Sequence, residues 1–123
     1  METGGLGKVY QDGEVIVRQG EVGNAMYVIQ SGKAEVVGEI NGKSVPLAVL
    51  GENDFFGEMA LFEDQVRSAT VRALGAVRVL TVDKKTLLRR IQQDPTLAFR
   101  MLEHLCHRVR KLDTELGRIK AAQ

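Results

Sequence analysis

Two charged side chains near the middle of the chain have complementary chemistry. Glu58 sits in the run Phe55-Phe56-Gly57-Glu58-Met59-Ala60-Leu61, and Arg67, nine positions later, heads Arg67-Ser68-Ala69-Thr70. An ionised glutamate only accepts hydrogen bonds, which suits a ribose hydroxyl that can donate one. Arginine offers a planar fork of donors that can grip two phosphate oxygens at once, which lysine cannot match. Gly57 permits a tight turn, and the residues after it can open a short helix whose N–H groups point at an anion. Acid, base and turn together suit a sugar phosphate. The same two charges could instead form a structural ion pair that braces the turn and needs no ligand. Few other polar groups lie between Phe55 and Ala60, and Glu63-Asp64-Gln65 reads as an exposed loop, which favours the ligand.

Such a pair needs a rigid frame, and the chain supplies strands first and helices afterwards. Glu14–Arg18, Ala25–Gln30, Ala34–Ile40, Val45–Leu50, Ser68–Ala73 and Val77–Val82 are rich in Val and Ile and often alternate, the pattern of half-buried strands. Turn residues bound them at Gln11-Asp12-Gly13, Gly20 to Asn24, Ser31-Gly32, Asn41-Gly42 and Gly51 to Asp54, with Asn41-Gly42 the strongest hairpin signal. Pro46 implies an edge strand or a late start for its segment. Short strands at regular spacing predict a sandwich or jelly roll.

From Asp83 the period becomes helical. Asp83 is a plausible N-cap, Leu87, Leu88 and Ile91 share a face, and Asp94-Pro95 breaks the first helix and starts a second. In the second helix Leu102, Leu105, Val109, Leu112, Leu116 and Ile119 alternate by three and four residues, the spacing of a coiled-coil seam. A parallel pair of copies joined through residues 102–119 would place Arg108 opposite Asp113 and Glu115 opposite Lys120 of the second copy. The competing reading is a stripe that packs on the strands, since the seam is under three heptads and Gly117 weakens the helix by about 1 kcal/mol against alanine.

Residues 56–71 resemble, without gaps, the phosphate-binding cassette of the cyclic nucleotide-binding domain family, the type found in the catabolite activator protein and in protein kinase A regulatory subunits. That cassette reads Phe-Gly-Glu, then small and apolar residues, then Arg with Ser, Thr or Ala after it. Gly20, Gly32 and Gly51 fall where the family turns between strands, and the resemblance covers roughly residues 10–115. It implies a mainly β fold with α, a double-stranded β-helix (jelly-roll) barrel followed by C-terminal helices. Within one domain, residues 1–9 would be a lead-in, 10–83 the β-roll with the cassette at 55–70, and 84–123 the hinge, lid and dimerisation helices. It implies further that Gly57 and Glu58 meet the ribose 2′-hydroxyl and that Arg67, Ser68 and the Ala60 amide meet the cyclic phosphate, with Met59 and Ala69 beside them.

The implied function is sensing without chemistry. The ligand would be cyclic AMP or cyclic GMP, no cofactor would be needed, and the signal would pass through the C-terminal helix to an effector domain or partner protein. Ser68 can bond a phosphate oxygen or a guanine amine, so it leaves the base open. In the catabolite activator branch a Thr-Ser pair on the long helix reads adenine; the corresponding residues here are Leu112-Asp113. Arg108 falls where that branch has another base-proximal arginine, and Thr114 is one residue off the pair, so Arg108, Leu112 and Thr114 are the candidates for the lid. That departure supports a rival reading, a degenerate relative that keeps the fold as a dimerisation or protein-interaction module.

Composition narrows the remaining classes. The 123 residues are 44% hydrophobic and 27% charged, enough for one core and too few for two domains. Seventeen bases against 16 acids give a net charge of +1, so no overall field favours nucleic acid or an anionic membrane. Cys106 is the sole cysteine, no apolar run approaches the ~20 residues of a membrane span, and the first nine residues lack the pattern of a signal peptide, so a cytoplasmic setting is expected. A metal-dependent jelly-roll enzyme would need histidines on strands, whereas His104 and His107 lie on the long helix; no metal site is expected. No Gly-x-Ser-x-Gly elbow occurs, and the chain reads as a non-enzyme.

Overall fold

The computed structural model describes residues 7–62 and 65–122. Eight strands run among them: β1 (Lys8–Tyr10), β2 (Val15–Val17), β3 (Val22–Gly23), β4 (Ala25–Ile40), β5 (Lys43–Leu50), β6 (Phe55–Phe56), β7 (Gln65–Val66) and β8 (Thr70–Asp83). Two helices follow, α1 (Lys84–Gln93) and α2 (Thr96–Ala122). The chain divides into two compact units, Met1–Thr86 and Leu87–Gln123. The fold is mainly antiparallel β with C-terminal helices, in agreement with the expected jelly-roll class.

The β unit is organised by its two longest strands. β4 and β8 pair antiparallel from Ala25 opposite Asp83 to Val37 opposite Thr70. β1 and β2 add to β8, while β5 and β6 add to β4. Alternate residues of the central pair point into a core that includes Ile29, Ala34, Phe56, Val71, Val77 and Val79, all buried. Fully burying a Val, Ile or Phe side chain contributes about 1.5–3 kcal/mol, so this cluster is the main source of cohesion in the unit.

One turn and one strand break expected from the sequence prove to be irregularities inside single strands. The Ser31-Gly32 break lies within β4, and the gap between the segments ending at Ala73 and starting at Val77 lies within β8. The register shifts between Ile29 and Ser31 and again between Ser31 and Lys33, with Gly32 at φ +86° and Gly75 at φ +75°. These are bulges, which bend a paired strand without ending it. Gly75 N–H, left out of the ladder, donates to Asp12 Oδ1 at 2.8 Å. Ser68 and Ala69, read as the start of a strand, lie before β8 begins at Thr70. Within the segment read as a lead-in, Lys8 and Val9 belong to β1, and residues 1–6 lie outside the described residues.

Other signals translate directly. Asn41 and Gly42 have φ of 53° and 77°, the two positive values of a tight hairpin turn, and Ile40 faces Lys43 across it. Pro46 sits on β5, the last strand of the β1-β8-β4-β5 path, beside a register shift at Val36/Val37, where a missing N–H does least harm. The turn from Gly51 to Asp54 is closed by Asp54 N–H on Gly51 O at 3.0 Å and by Gly51 N–H on Asp54 Oδ2 at 2.8 Å. Ile29 N–H on Asp54 O and Asn53 N–H on Ile29 O dock that turn on β4, which fixes the entry to β6.

In the helical part, Thr86 N–H donates to Asp83 Oδ1 at 2.7 Å, so Asp83 caps α1 as its residue type suggests. Leu87 is buried and Ile91 half-buried, but Leu88 is 51% exposed; at 100° per residue it lies off the line joining the other two. In α2 Leu102, Val109, Leu112, Leu116 and Ile119 are each more than half exposed. Asp94 caps α2, accepting from the Thr96 hydroxyl and, at 3.2 Å, from Thr96 N–H. The Thr96 hydroxyl first, then its N–H and the charge of Arg100, hold the Asp94 carboxyl below its usual pKa. A carboxylate whose folded pKa is lowered stabilises the fold above its unfolded value of about 3.9, and that contribution disappears as pH falls through the lower folded value. Asp94→Ala is therefore expected to lower the thermal midpoint at neutral pH, with the deficit shrinking below about pH 4. A deficit that stays constant across that range in thermal melts followed by circular dichroism would contradict an ionised cap.

Candidate functional site

The backbone of Arg67 is fixed by antiparallel pairing with the segment around residues 20–23. β3 and β7 place Val22 opposite Val66 and Gly23 opposite Gln65. The pairing continues past them: Arg67 N–H donates to Glu21 O at 2.7 Å, and Gly20 N–H donates to Arg67 O at 2.9 Å. Farther on, Gln19 N–H donates to Thr70 Oγ1 at 2.9 Å and Val17 faces Val71.

The side chain is held by main-chain oxygens. Arg67 Nη2–H donates to Ala25 O at 2.9 Å and Nη1–H to Gly57 O at 3.2 Å. Among the described residues these two main-chain bonds hold the guanidinium. The group also lies over the Tyr27 ring, 5.6 Å from Cζ to the centroid. A Cβ on Gly23 would overlap the guanidinium, and one on Gly57 would come within 2.5 Å of Nη1. Gly57 has φ +78° as well, so it meets a conformational and a steric requirement at once. Arg67 is half-buried, a setting in which a charge needs hydrogen-bonding partners close by.

Gly57 opens a short 3-10 turn over Glu58–Leu61. Its carbonyl is shared, accepting from Arg67 and, at 3.2 Å, from Ala60 N–H. The Ala60 amide, which the resemblance assigns to phosphate, is thus engaged inside the turn here. Ala60 and Leu61 are buried and anchor the turn from beneath; Glu58 is half-buried, and Met59 is exposed. After Arg67, Ser68 is exposed and Ala69 half-buried. The structure thus joins Arg67 to the Gly57 carbonyl, which the Ala60 amide shares at the head of the turn that carries Glu58 and Met59, with Ser68 and Ala69 next to Arg67 in the chain. Of the loop read at Glu63-Asp64-Gln65, Glu63 and Asp64 lie outside the described residues. Arg108, Leu112 and Thr114 are on α2, in the other unit. Leu112 is 64% exposed, and the Thr114 hydroxyl donates back to Arg110 O at 3.0 Å. Among the described residues no group of three or more His, Cys, Asp and Glu could hold a metal ion, and no helix is long and apolar enough to cross a membrane.

The model of the cyclic nucleotide-binding domain matches residues 7–94. The chain belongs to this family. It is 47% identical over 81 residues to a cAMP-dependent protein kinase regulatory subunit of Schizosaccharomyces pombe, covering 66% of this chain and 19% of that one. It is 44% identical over 80 residues to the cGMP-dependent protein kinase egl-4 of Caenorhabditis elegans, covering 63% and 10%. Among solved structures, the Thermus thermophilus catabolite activator protein superposes with a TM-score of 0.79 at 32% identity, covering 92% of this chain and 54% of that one. The chain therefore spans about a fifth of the first relative's length and about half of the bacterial protein's.

The sequence reading missed Gly23, the Ala25 carbonyl and Tyr27. A backbone acceptor leaves no mark on residue type, and Gly23 was read as turn punctuation. The overlap that a Gly23 Cβ would make involves only the end of a flexible side chain, and Gly23 has no positive φ. Gly23→Ala is thus expected to keep folding stability within about 1 kcal/mol while displacing the guanidinium. Gly57→Ala should add the left-handed backbone penalty of about 1–2 kcal/mol. Urea midpoints and the Arg67 side-chain NMR resonances check both; an unshifted Arg67 in Gly23→Ala would contradict the tight cradle.

Proposed function

We propose that this domain binds a cyclic nucleoside monophosphate through residues 57–60 and 67–69 and acts as a regulatory sensor. The single observation that carries the reading is the Arg67 guanidinium, fixed in position by two neutral carbonyls that use two of its five donors without neutralising its charge. A phosphate would supply the opposite charge. Arg67 then grips the cyclic phosphate, with Ser68, Ala69 and the Ala60 amide beside it; Glu58 and Gly57, on the other side of the shared carbonyl, receive the ribose 2′-hydroxyl, and Met59 flanks them. For Ala60 this requires its amide to leave or share its 3.2 Å bond to Gly57 O, which is long enough to yield.

The base is cyclic AMP's or cyclic GMP's. Support is divided, because the relatives are named for both nucleotides. The domain needs no cofactor and performs no chemistry of its own; an effector domain or partner protein in a cytoplasmic setting would receive the signal. Signalling proceeds by population shift, in which the ligand favours one placement of the C-terminal helix, with Arg108, Leu112 and Thr114 as candidate lid residues. The ligand must bind the two placements unequally, since equal affinity would move nothing. Arg67→Ala is expected to weaken cyclic nucleotide binding by about 2–3 kcal/mol or more, roughly 30-fold upward, with folding kept. Calorimetry with cyclic AMP, cyclic GMP and 5′-AMP checks this; retained affinity in the variant would remove Arg67 from the phosphate role.

A second reading has its own observation. The exposed stripe Leu102, Val109, Leu112, Leu116 and Ile119 has seam spacing and complementary flanking charges, which supports pairing of two copies through residues 102–119. In the rival function the domain binds no nucleotide and works through this surface alone. Leu112→Lys is expected to shift the sedimenting species from dimer to monomer with helix content unchanged. A wild-type chain that sediments as a monomer at all concentrations would contradict the pairing.

A further inference from the structure

We infer that Tyr27, backed by Phe56, is the positioning residue that sets the tilt of the Arg67 guanidinium, an inference that rests on Arg67 being the anion anchor. The hydrogen bonds from Nη1 and Nη2 to Gly57 O and Ala25 O fix two corners of the planar group. With the side chain also tethered to its paired backbone through Nε, what is left is a tilt of the plane, which decides where the remaining N–H groups aim and which a third contact would fix.

The third contact is the Tyr27 ring. Arg67 Cζ stands 5.6 Å from its centroid, inside the ~6 Å range at which a cation is drawn to an aromatic face. Tyr27 cannot retreat, because Phe56 lies against it with centroids 5.1 Å apart and planes 18° from parallel. The two are direct cross-strand partners on β4 and β6, so the stack is built into the register and not left to rotamer choice. Phe56 is 6% exposed and belongs to the main core cluster. Core, Phe56, Tyr27 and guanidinium thus form one continuous support. Gly23 and Gly57 bring backbone alone against the group, and the Tyr27 ring adds an aromatic side-chain contact to that cradle.

The test uses the intact chain as wild type, Tyr27→Phe and Tyr27→Leu. The first readout needs no ligand: the Arg67 Nε–Hε NMR resonance should be displaced upfield by the ring current in wild type and Tyr27→Phe, and return toward its ordinary position in Tyr27→Leu. The second is affinity for cyclic AMP and cyclic GMP, expected to fall about 3- to 30-fold in Tyr27→Leu and stay within about twofold in Tyr27→Phe, with urea midpoints establishing that each variant is folded. An undisplaced Arg67 resonance in wild type overturns the inference without recourse to any variant, as does a folded Tyr27→Leu with unchanged resonance and affinity. A wild type that binds neither nucleotide would defeat the binding reading, while the ligand-free resonance would still decide whether Tyr27 positions Arg67.

Discussion

A half-buried guanidinium held by main-chain carbonyls is the constraint on which the rest of the site depends. A charge withdrawn from water is costly unless it is hydrogen-bonded, and Arg67 meets that requirement through Ala25 O and Gly57 O. Both oxygens must be in place before the side chain can be. The Ala25 carbonyl stands at the start of β4, the strand that organises the β unit, and the Gly57 carbonyl stands where β6 ends and the 3-10 turn begins. β6 pairs with β4 and its entry is docked by Ile29, so both acceptors are referenced to one strand. Arg67's own backbone comes from the other side, through the ladder to residues 20–23. The core holds the site's geometry by holding this pairing.

The family membership and the geometry address different questions. The match over residues 7–94 places the chain among cyclic nucleotide-binding domains, but leaves each side chain's task to be argued from contacts. Those contacts join Arg67 to the turn after Gly57 through one carbonyl, so in the proposed function a ligand gripped by Arg67 would also pull on the turn that carries Glu58.

Residue type announced the parts of the fold that depend on side chains. Asn41-Gly42, Pro46, Asp83 and the three-four spacing in α2 each have a local physical reason to be where they are. The parts governed by long-range pairing were not legible. Gly32 and Gly75 look like turn residues in sequence and become bulges only because β4 and β8 continue to pair across them. β3, β6 and β7 are two residues each, too short to show a period. In the site, Glu58 and Arg67 were visible because charge pairs with spacing suggest chemistry, whereas the carbonyls that hold Arg67 belong to residues whose side chains say nothing about the role. Tyr27 was read as part of a strand, and its second duty appears only when β4 and β6 bring it between Phe56 and Arg67.

The central claim is that Arg67 is a preorganised phosphate anchor, and a crystal structure of the chain with cyclic AMP tests it most directly. The account predicts phosphate oxygens at about 2.7–2.9 Å from the Arg67 guanidinium, with the bond to Ala25 O retained. A nucleotide bound elsewhere, or an Arg67 that must leave its carbonyl cradle to reach the phosphate, would contradict it.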